Sequence, residues 1–270
     1  MANDWRSFEP LLIPDIPNLE KIDVYEENGG YGALREILND SEKWSRENVT
    51  DEVKQANIRG RGGAGFNAGL KWSFMPKPDG GPRYLACNGD ESEPGTFKDR
   101  KIFEFNPHLF IEGALIAAHA MTVDTIYVYI RGEYIDWVHM LQKAVDDAYE
   151  KGYLGKDILG KGIDIDMHLT YGAGAYICGE ETSMLESLEG KRGYPRVKPP
   201  FPAQKGLWGR PTTINNIETL ANVPLVINNG AEWFGNIGAE GHPGPVLYGI
   251  SGHVKNPGVY ELPSGVPVLD

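Results

Sequence analysis

Between Arg59 and Trp72 the chain reads RGRGGAGFNAGLKW, a stretch whose residue types suit anion binding. Gly60, Gly62, Gly63, Gly65 and Gly69 let the main chain take positive φ and come close to a ligand, so that exposed N–H groups can cradle phosphate oxygens. Arg59, Arg61 and Lys71 add positive charge, while Phe66 and Trp72 offer flat apolar faces to a ring. The stretch is not a Walker loop, because Lys71 lies between Leu70 and Trp72 and the Gly-Lys-Ser/Thr ending is missing. Gly60 to Gly65 does satisfy the G-x-G-x-x-G spacing of a dinucleotide fingerprint. That fingerprint, however, should follow a hydrophobic strand, and the preceding DEVKQANIRG is charged and reads as a helix end. Phosphate binding therefore stands without the ordinary dinucleotide context.

Two further clusters carry polar chemistry. The turn Asn88-Gly89-Asp90-Glu91-Ser92-Glu93 holds three carboxylates in four residues, and Gly179 is followed by Glu180 and Glu181. Acidic turns are commonly just solvated. As ligand groups, these carboxylates and Asn88 suit the ribityl or ribose hydroxyls and amide edges of a flavin or nicotinamide nucleotide. A carboxylate at a ribose 2′-OH would also repel a 2′-phosphate, favouring NAD over NADP. Magnesium or calcium would want more oxygen ligands, and EF-hand spacing is missing. The 6 histidines are scattered with no zinc-site pairing, and no Gly-x-Ser-x-Gly elbow occurs. Ser183 and Cys178 lie near carboxylates without a local base. A cofactor that carries the chemistry, positioned by the protein, fits this inventory better than covalent catalysis.

The elements that must position these clusters follow from periodicity. RYLACN (83–88) reads as a buried strand, 106–121 as a helix with a broad apolar face, TIYVYI (125–130) as a strand, and 134–149 as a helix with Ile135, Val138, Leu141, Val145 and Ala148 on one side. IDIDMHLT (163–170) alternates as a half-exposed strand, and YGAGAYICGEE leads into a helix through Leu188. The alternation implies an α/β fold with a largely parallel sheet, whose ligands bind beyond the strand C-termini. Residues 1–55 read as a polar lead-in that wraps a later core, residues 191–211 as a proline-rich loop, and TTINNIETLANVPLVINNG as a helix with a Thr/Asn-rich start at Thr212, Thr213, Asn215 and Asn216. PVLYGISGHVKNPGVYELPSG reads as two strands around an Asn-Pro-Gly turn.

Composition bounds the function. With 26 basic against 38 acidic residues, a net charge of −12 argues against nucleic-acid binding. Two cysteines, Cys87 and Cys178, build neither a disulfide framework nor a four-thiolate cluster, and both are expected to be buried thiols. No apolar run long enough to span a membrane is evident, and MANDWRSFEP lacks a signal-peptide pattern, pointing to a cytoplasmic location.

Three motifs in order, RGRGGAGFNAGLKW, CNGDESEPGTFKDR and YGAGAYICGEETSMLESLEGKRGYPRVKPPFPAQKGLWGRPTTINNIETLANV, resemble the NADH-binding flavoprotein subunit of respiratory NADH:quinone oxidoreductase, complex I. The same family includes diaphorase subunits of NAD-linked hydrogenases and formate dehydrogenases. The resemblance covers nearly the whole chain. It implies an FMN in a Rossmann-like fold, with NADH stacked on it in the same cavity. Gly60, Arg61, Gly62, Gly63, Lys71, Asn88, Asp90, Tyr176, Gly179, Glu180, Asn215, Asn216 and Thr219 would form the FMN site. Gly63, Phe66, Phe74 and Phe201 would hold NADH, with Glu93, Glu181 and Lys198 at its polar groups. No catalytic acid or base is implied, only positioning by Glu93, Tyr176 and Glu181. Implied partners are a thioredoxin-like 2Fe–2S subunit and the large iron–sulfur subunit of complex I, with the chain peripheral to the inner face of the membrane.

The resemblance also sets expected boundaries: residues 1–240 form the FMN- and NADH-binding domain, and residues 241–270 begin a ubiquitin-like β-grasp (SLBB) unit that stops before closing. The family's C-terminal helical domain with a C-x-x-C-x-x-C run for a 4Fe–4S cluster is missing from this sequence, which implies a longer natural protein. Two other readings are a diaphorase module of a soluble hydrogenase or formate dehydrogenase and a non-catalytic nucleotide-binding module.

Overall fold

The computed structural model describes residues 5–267. Three helices lead in, α1 (Ile22–Glu27), α2 (Gly32–Asn39) and α3 (Arg46–Gln55), followed by the glycine loop and α4 (Ala68–Trp72). Strand β1 (Tyr84–Gly89) precedes α5 (Asp99–Phe105) and α6 (Pro107–Met121), and β2 (Thr125–Ile130) precedes α7 (Ile135–Glu150). Next come β3 (Asp166–Tyr171), α8 (Glu181–Leu188), α9 (Pro202–Lys205) and β4 (Thr212–Asn216). The four strands form one parallel sheet in the order β3-β2-β1-β4. Tyr84 pairs with Thr125 on one side and with Thr212 on the other. All strand C-termini therefore share one edge, as expected from helix-linked parallel strands.

The core lies mainly between the sheet and α6. Every residue of α6 except His119 is buried, so the helix is enclosed on all sides rather than along one apolar stripe. Its sequence allows this, being apolar or small nearly all round. The buried polar exceptions are His108, bonded to the Tyr31 hydroxyl, and Glu112, which accepts from the Tyr25 hydroxyl (2.5 Å) and the main-chain N–H groups of Tyr31 (2.9 Å) and Leu34 (3.1 Å). Burial raises the Glu112 pKa against the pull of these donors. Glu112 fastens the N-terminal helices to the core, and those helices are more than a polar wrap. Leu12, Leu19, Ile22, Tyr31, Leu34, Ile37, Val49 and Val53 all belong to the main apolar cluster. Residues 1–4 lie outside the described residues.

Three local expectations need correction. Thr212–Asn216 is a strand, because its β-branched residues pair with β1 and sit buried; the helix starts only at α10 (Ile217–Ala221), continued by α11 (Val223–Asn229) and α12 (Ala231–Gly235). The proline-rich segment is not all loop, since Pro202 sits at the first turn of α9, where a missing N–H costs nothing. The strand expected from Ile163 begins at Asp166, and Ile165 makes only an isolated bridge with Gly155.

Beyond α12, β5 (Gly238–Ala239) pairs with β6 (His242–Pro243), and β7 (Pro245–Ile250) with β8 (Gly258–Pro263). The β7–β8 hairpin is the one expected around Asn256-Pro257-Gly258. Glu261 on β8 is buried and accepts from the main-chain amides of Leu11 (2.8 Å), Leu12 (2.9 Å) and Ile13 (2.9 Å), tying the two ends of the chain together. Burial raises its pKa to about 7, against the lowering effect of the three amides, and Glu218 adds to the rise. The ordinary value is 4.5, so the folded state holds a proton that the unfolded chain releases. This stabilisation is full below about pH 4.5 and is lost as pH climbs through about 7. The expected result is a melting temperature that falls between those pH values in the native chain relative to Glu261→Gln, measured by circular dichroism. Parallel pH traces for the two proteins would refute it. No helix among the described residues is long and apolar enough to cross a membrane.

Candidate functional site

A cleft of about 800 Å³ opens beside the sheet edge, within the size range of cofactor pockets. Five segments build it: the glycine loop with α4, the end of β1, the Gly179–Glu181 turn, the stretch from Lys198 to Gln204, and β4 with the start of α10. The glycine loop closes at its neck, where Gly60 N donates to Phe66 O (2.8 Å) and Arg59 bridges to Asn67. Gly63 (φ 104°) and Gly65 (φ 63°) take the positive φ this closure requires. Asn67 then caps α4 by accepting from Leu70 N (2.8 Å), aiming Lys71 at the cleft.

The polar walls are fixed by one another. Asn88 donates to Gly179 O (2.8 Å), and Asn216 donates to Asp99 Oδ2 (2.7 Å). Asn215 Oδ1 accepts from the Trp72 indole (2.9 Å), and Thr219 accepts from Arg61 N (2.8 Å). Glu180 caps α8, taking the amides of Thr182 (2.8 Å) and Ser183 (2.9 Å). Glu181 lies between two ammonium groups, Lys71 at 3.1 Å and Lys198 in direct contact. Burial raises the Glu181 carboxyl, but the two lysines outweigh it and hold the group below its ordinary value. It is therefore an ionised acceptor at neutral pH.

Of the residues expected at the site, Gly60, Gly62, Phe66, Lys71, Phe74, Asn88, Gly179, Glu180, Glu181, Lys198, Phe201, Asn215, Asn216 and Thr219 line this one cleft. Phe66, Phe74 and Phe201 remain about half exposed, and the rings of Phe66 and Phe74 lie 6.0 Å apart. Arg61, Gly63, Asp90, Glu93 and Tyr176 do not line it. The Arg61 guanidinium is spent on the carbonyls of Pro243 (2.8 Å) and Pro245 (3.0 Å), at the base of the hairpin. Asp90 packs beside Gly179 and accepts from the Ser92 hydroxyl. Tyr176 donates to Glu93 (2.5 Å) in an exposed pair next to the Gly179 turn.

The acidic turn divides by role. Glu91 is buried and accepts from the amides of Lys98 (2.7 Å) and Asp99 (2.9 Å), so it is structural. Trp72 is buried as well, and offers no face to a ligand. Cys87 and Cys178 are the buried free thiols expected.

Sequence reasoning missed Ala64, Pro202, Ala203, Gln204 and Ile214 as lining residues, and placed Thr212 and Thr213 at a helix start rather than on a strand. Once β4 is known to be an edge strand, its contribution is legible. Tyr84 N donates to Pro211 O (3.0 Å), which fixes the phase of the ladder. Alternation then turns the main-chain groups of Thr212 and Ile214 away from β1. Both residues are buried and both line the cleft, so this edge offers donors and acceptors to a planar ligand.

Residues 53–225 match the family model described as the Nuo51 FMN-binding domain. The chain belongs to this family. It is 54% identical over 97% of its length to the F 2 subunit of NADH-quinone oxidoreductase of Rhizobium meliloti, and covers 62% of that protein. It is 54% identical over 92% of its length to the F subunit of the Aquifex aeolicus NADH-quinone oxidoreductase and 50% identical over 90% to that of Escherichia coli, covering 57% and 54% of them. The chain thus spans little more than half the length of the relatives it matches. Among solved structures it resembles NAD+-reducing NiFe-hydrogenase in the H2-reduced state, with a TM-score of 0.77, 39% identity, and coverage of 85% of this chain and 39% of the other. The air-oxidized form gives a TM-score of 0.74 at 40% identity, covering 82% of this chain and 37% of the other.

The residues present fit FMN. At Gly62 the loop leaves room that a side chain would fill, since a Cβ there would sit 3.3 Å from Asn216 Cβ. Lys71, Asn88, Glu180, Asn216 and Thr219 supply a mixed set of donors and acceptors for a phosphate, a polyol and a heterocyclic edge.

Proposed function

We propose that this chain holds FMN and NADH together in the one cleft and oxidises NADH. The observation that supports it most is the convergence of five sequence-distant segments on a single cavity with polar walls and three exposed phenylalanines. Bound FMN supplies the hydride acceptor. The protein's work is positional. The glycine loop (Gly60, Gly62, Gly63) and Lys71, with Asn216 and Thr219, hold the phosphate and ribityl end. Asn88, Gly179, Glu180 and Asn215 orient the ring from the cleft wall, Asp90 and Tyr176 support the Gly179 turn from outside it, and Arg61 acts through its main chain, which is already bonded to Thr219. Phe66, Phe74 and Phe201 clamp the adenine by stacking. Lys198 meets polar groups of NADH, with Glu93 held beside the Gly179 turn by Tyr176, and Glu181 accepts from its ribose hydroxyls.

An ionised Glu181 opposes a 2′-phosphate. Glu181→Gln is expected to raise NADPH oxidation relative to NADH by about tenfold. The assay is ferricyanide reduction by the FMN-loaded chain. An unchanged ratio in a folded variant would show that Glu181 does not read the ribose, and no activity in the FMN-loaded native chain would sink the function itself.

The relatives' names support placement as the electron-input module of NADH:quinone oxidoreductase, peripheral to the inner face of the membrane. Its partners there are a thioredoxin-like 2Fe–2S subunit and a large iron–sulfur subunit. The likeness to NAD+-reducing hydrogenase supports a second reading, a diaphorase module. Purifying the native assembly separates the two by its other subunits.

A further inference from the structure

Below the cleft lies a buried ionic cluster that none of the roles above uses. Lys98 Nζ sits 2.8 Å from Asp99 Oδ1 and 2.7 Å from Glu218 Oε2, so one cation serves two buried carboxylates. Asp99 Oδ2 accepts from the Asn216 amide (2.7 Å), and Asn216 lines the cleft. On the far side, Glu218 Oε1 accepts from Leu247 N (3.0 Å) on β7. Hydrogen bonds and ion pairs link cleft to hairpin in the order Asn216, Asp99, Lys98, Glu218, Leu247.

We propose that Asp99 is a positioning residue for the cofactor site and that Lys98 and Glu218 couple cofactor binding to the seating of the β7–β8 hairpin. Such coupling rests on the FMN reading above. Asn216 can present its amide either way round, and Asp99 decides which. A carboxylate accepts only, so it draws the Nδ2 group to itself. That leaves Oδ1 turned toward Thr219 N (3.4 Å). Asp99 is paired with Lys98 in its buried position, and Lys98 is held in turn by Glu218. Glu91 secures the base of the cluster through the amides of Lys98 and Asp99. A ligand that bonds Asn216 or Thr219 therefore tightens the same cluster that anchors Leu247.

The test uses the full chain with Asp99→Asn, Lys98→Met and Lys98→Arg. FMN affinity is read by quenching of flavin fluorescence, at a temperature where circular dichroism shows each protein folded. Asp99→Asn and Lys98→Met are expected to weaken FMN binding about tenfold, with Lys98→Arg recovering most of it. Hydrogen exchange of a peptide spanning β7 is expected to slow when FMN is added to the native chain, and to respond less in Lys98→Met. A purely structural role would lower the melting temperature and leave the affinity of the folded protein alone. Native affinity in folded Asp99→Asn, or β7 exchange indifferent to FMN in the native chain, overturns the proposal. Should Lys98→Met fail to fold, the isosteric Asp99→Asn and the native exchange result decide it. Failure of the native chain to bind FMN at all would count against the parent reading instead.

Discussion

Gly113→Ala is expected to cost about 3 kcal/mol of stability or more, the upper end of what overpacking a core does. A Cβ at Gly113 would stand 2.0 Å from Leu220 O and 2.7 Å from Leu220 C. Both are main-chain atoms of α10, so no side-chain rotation relieves the clash; α6 and α10 must move apart. Helix α10 also carries Thr219 and directly follows Asn216, both in the wall of the cleft. Fold and site thus share this contact, and FMN affinity is expected to fall along with the melting temperature. Gly235→Ala is the control, since a Cβ there meets nothing within 4 Å and the position is helical. Urea titration of the two variants checks the claim; equal midpoints would refute it.

The second large effect concerns binding rather than folding. Gly62→Val is expected to weaken FMN by about 100-fold or more, since an added side chain would occupy the cradle and deny the ligand close approach to the main chain. The Cβ alone would come within 3.3 Å of Asn216 Cβ, and the γ-methyls must then enter the cleft or displace Asn216. The position lacks positive φ, so backbone strain is not the cause and the fold should survive. Isothermal titration with FMN, alongside a melting curve, separates the two effects. Native affinity in this variant would mean that the glycine loop does not touch the cofactor.

Much of the site was readable because its ligand groups sit in short motifs. Asn88, Glu180–Glu181 and Asn216 each belong to a strand end or helix start whose local chemistry is written in adjacent residues, and the glycine loop closes on itself between Gly60 and Phe66. Topology then brought them together, as parallel strands with helical crossovers require. What escaped depended on partners far away in sequence. Thr212–Asn216 carries both β-branched residues and good helix caps, and only pairing with β1 makes it a strand. Its role as an unpaired edge on the cleft follows from that pairing alone.

Charge was the harder quantity to read. Asp90, Glu91 and Glu93 look alike in the sequence, yet Glu91 is consumed by the amides of Lys98 and Asp99 while Glu93 stays exposed with Tyr176. Arg61 looked like an anion contact, and its guanidinium serves the hairpin carbonyls instead. The Lys98–Asp99–Glu218 cluster gave no sequence signal, because it joins residues more than a hundred positions apart.

If one cleft takes FMN and NADH together, the visible spectrum of the FMN-loaded chain tests it most directly, recorded without oxygen while NADH is added. The flavin band is expected to bleach in proportion to NADH, and Gly62→Val, stripped of FMN, is expected to show no such change. A flavin that stays oxidised in the presence of excess NADH would contradict the shared cleft.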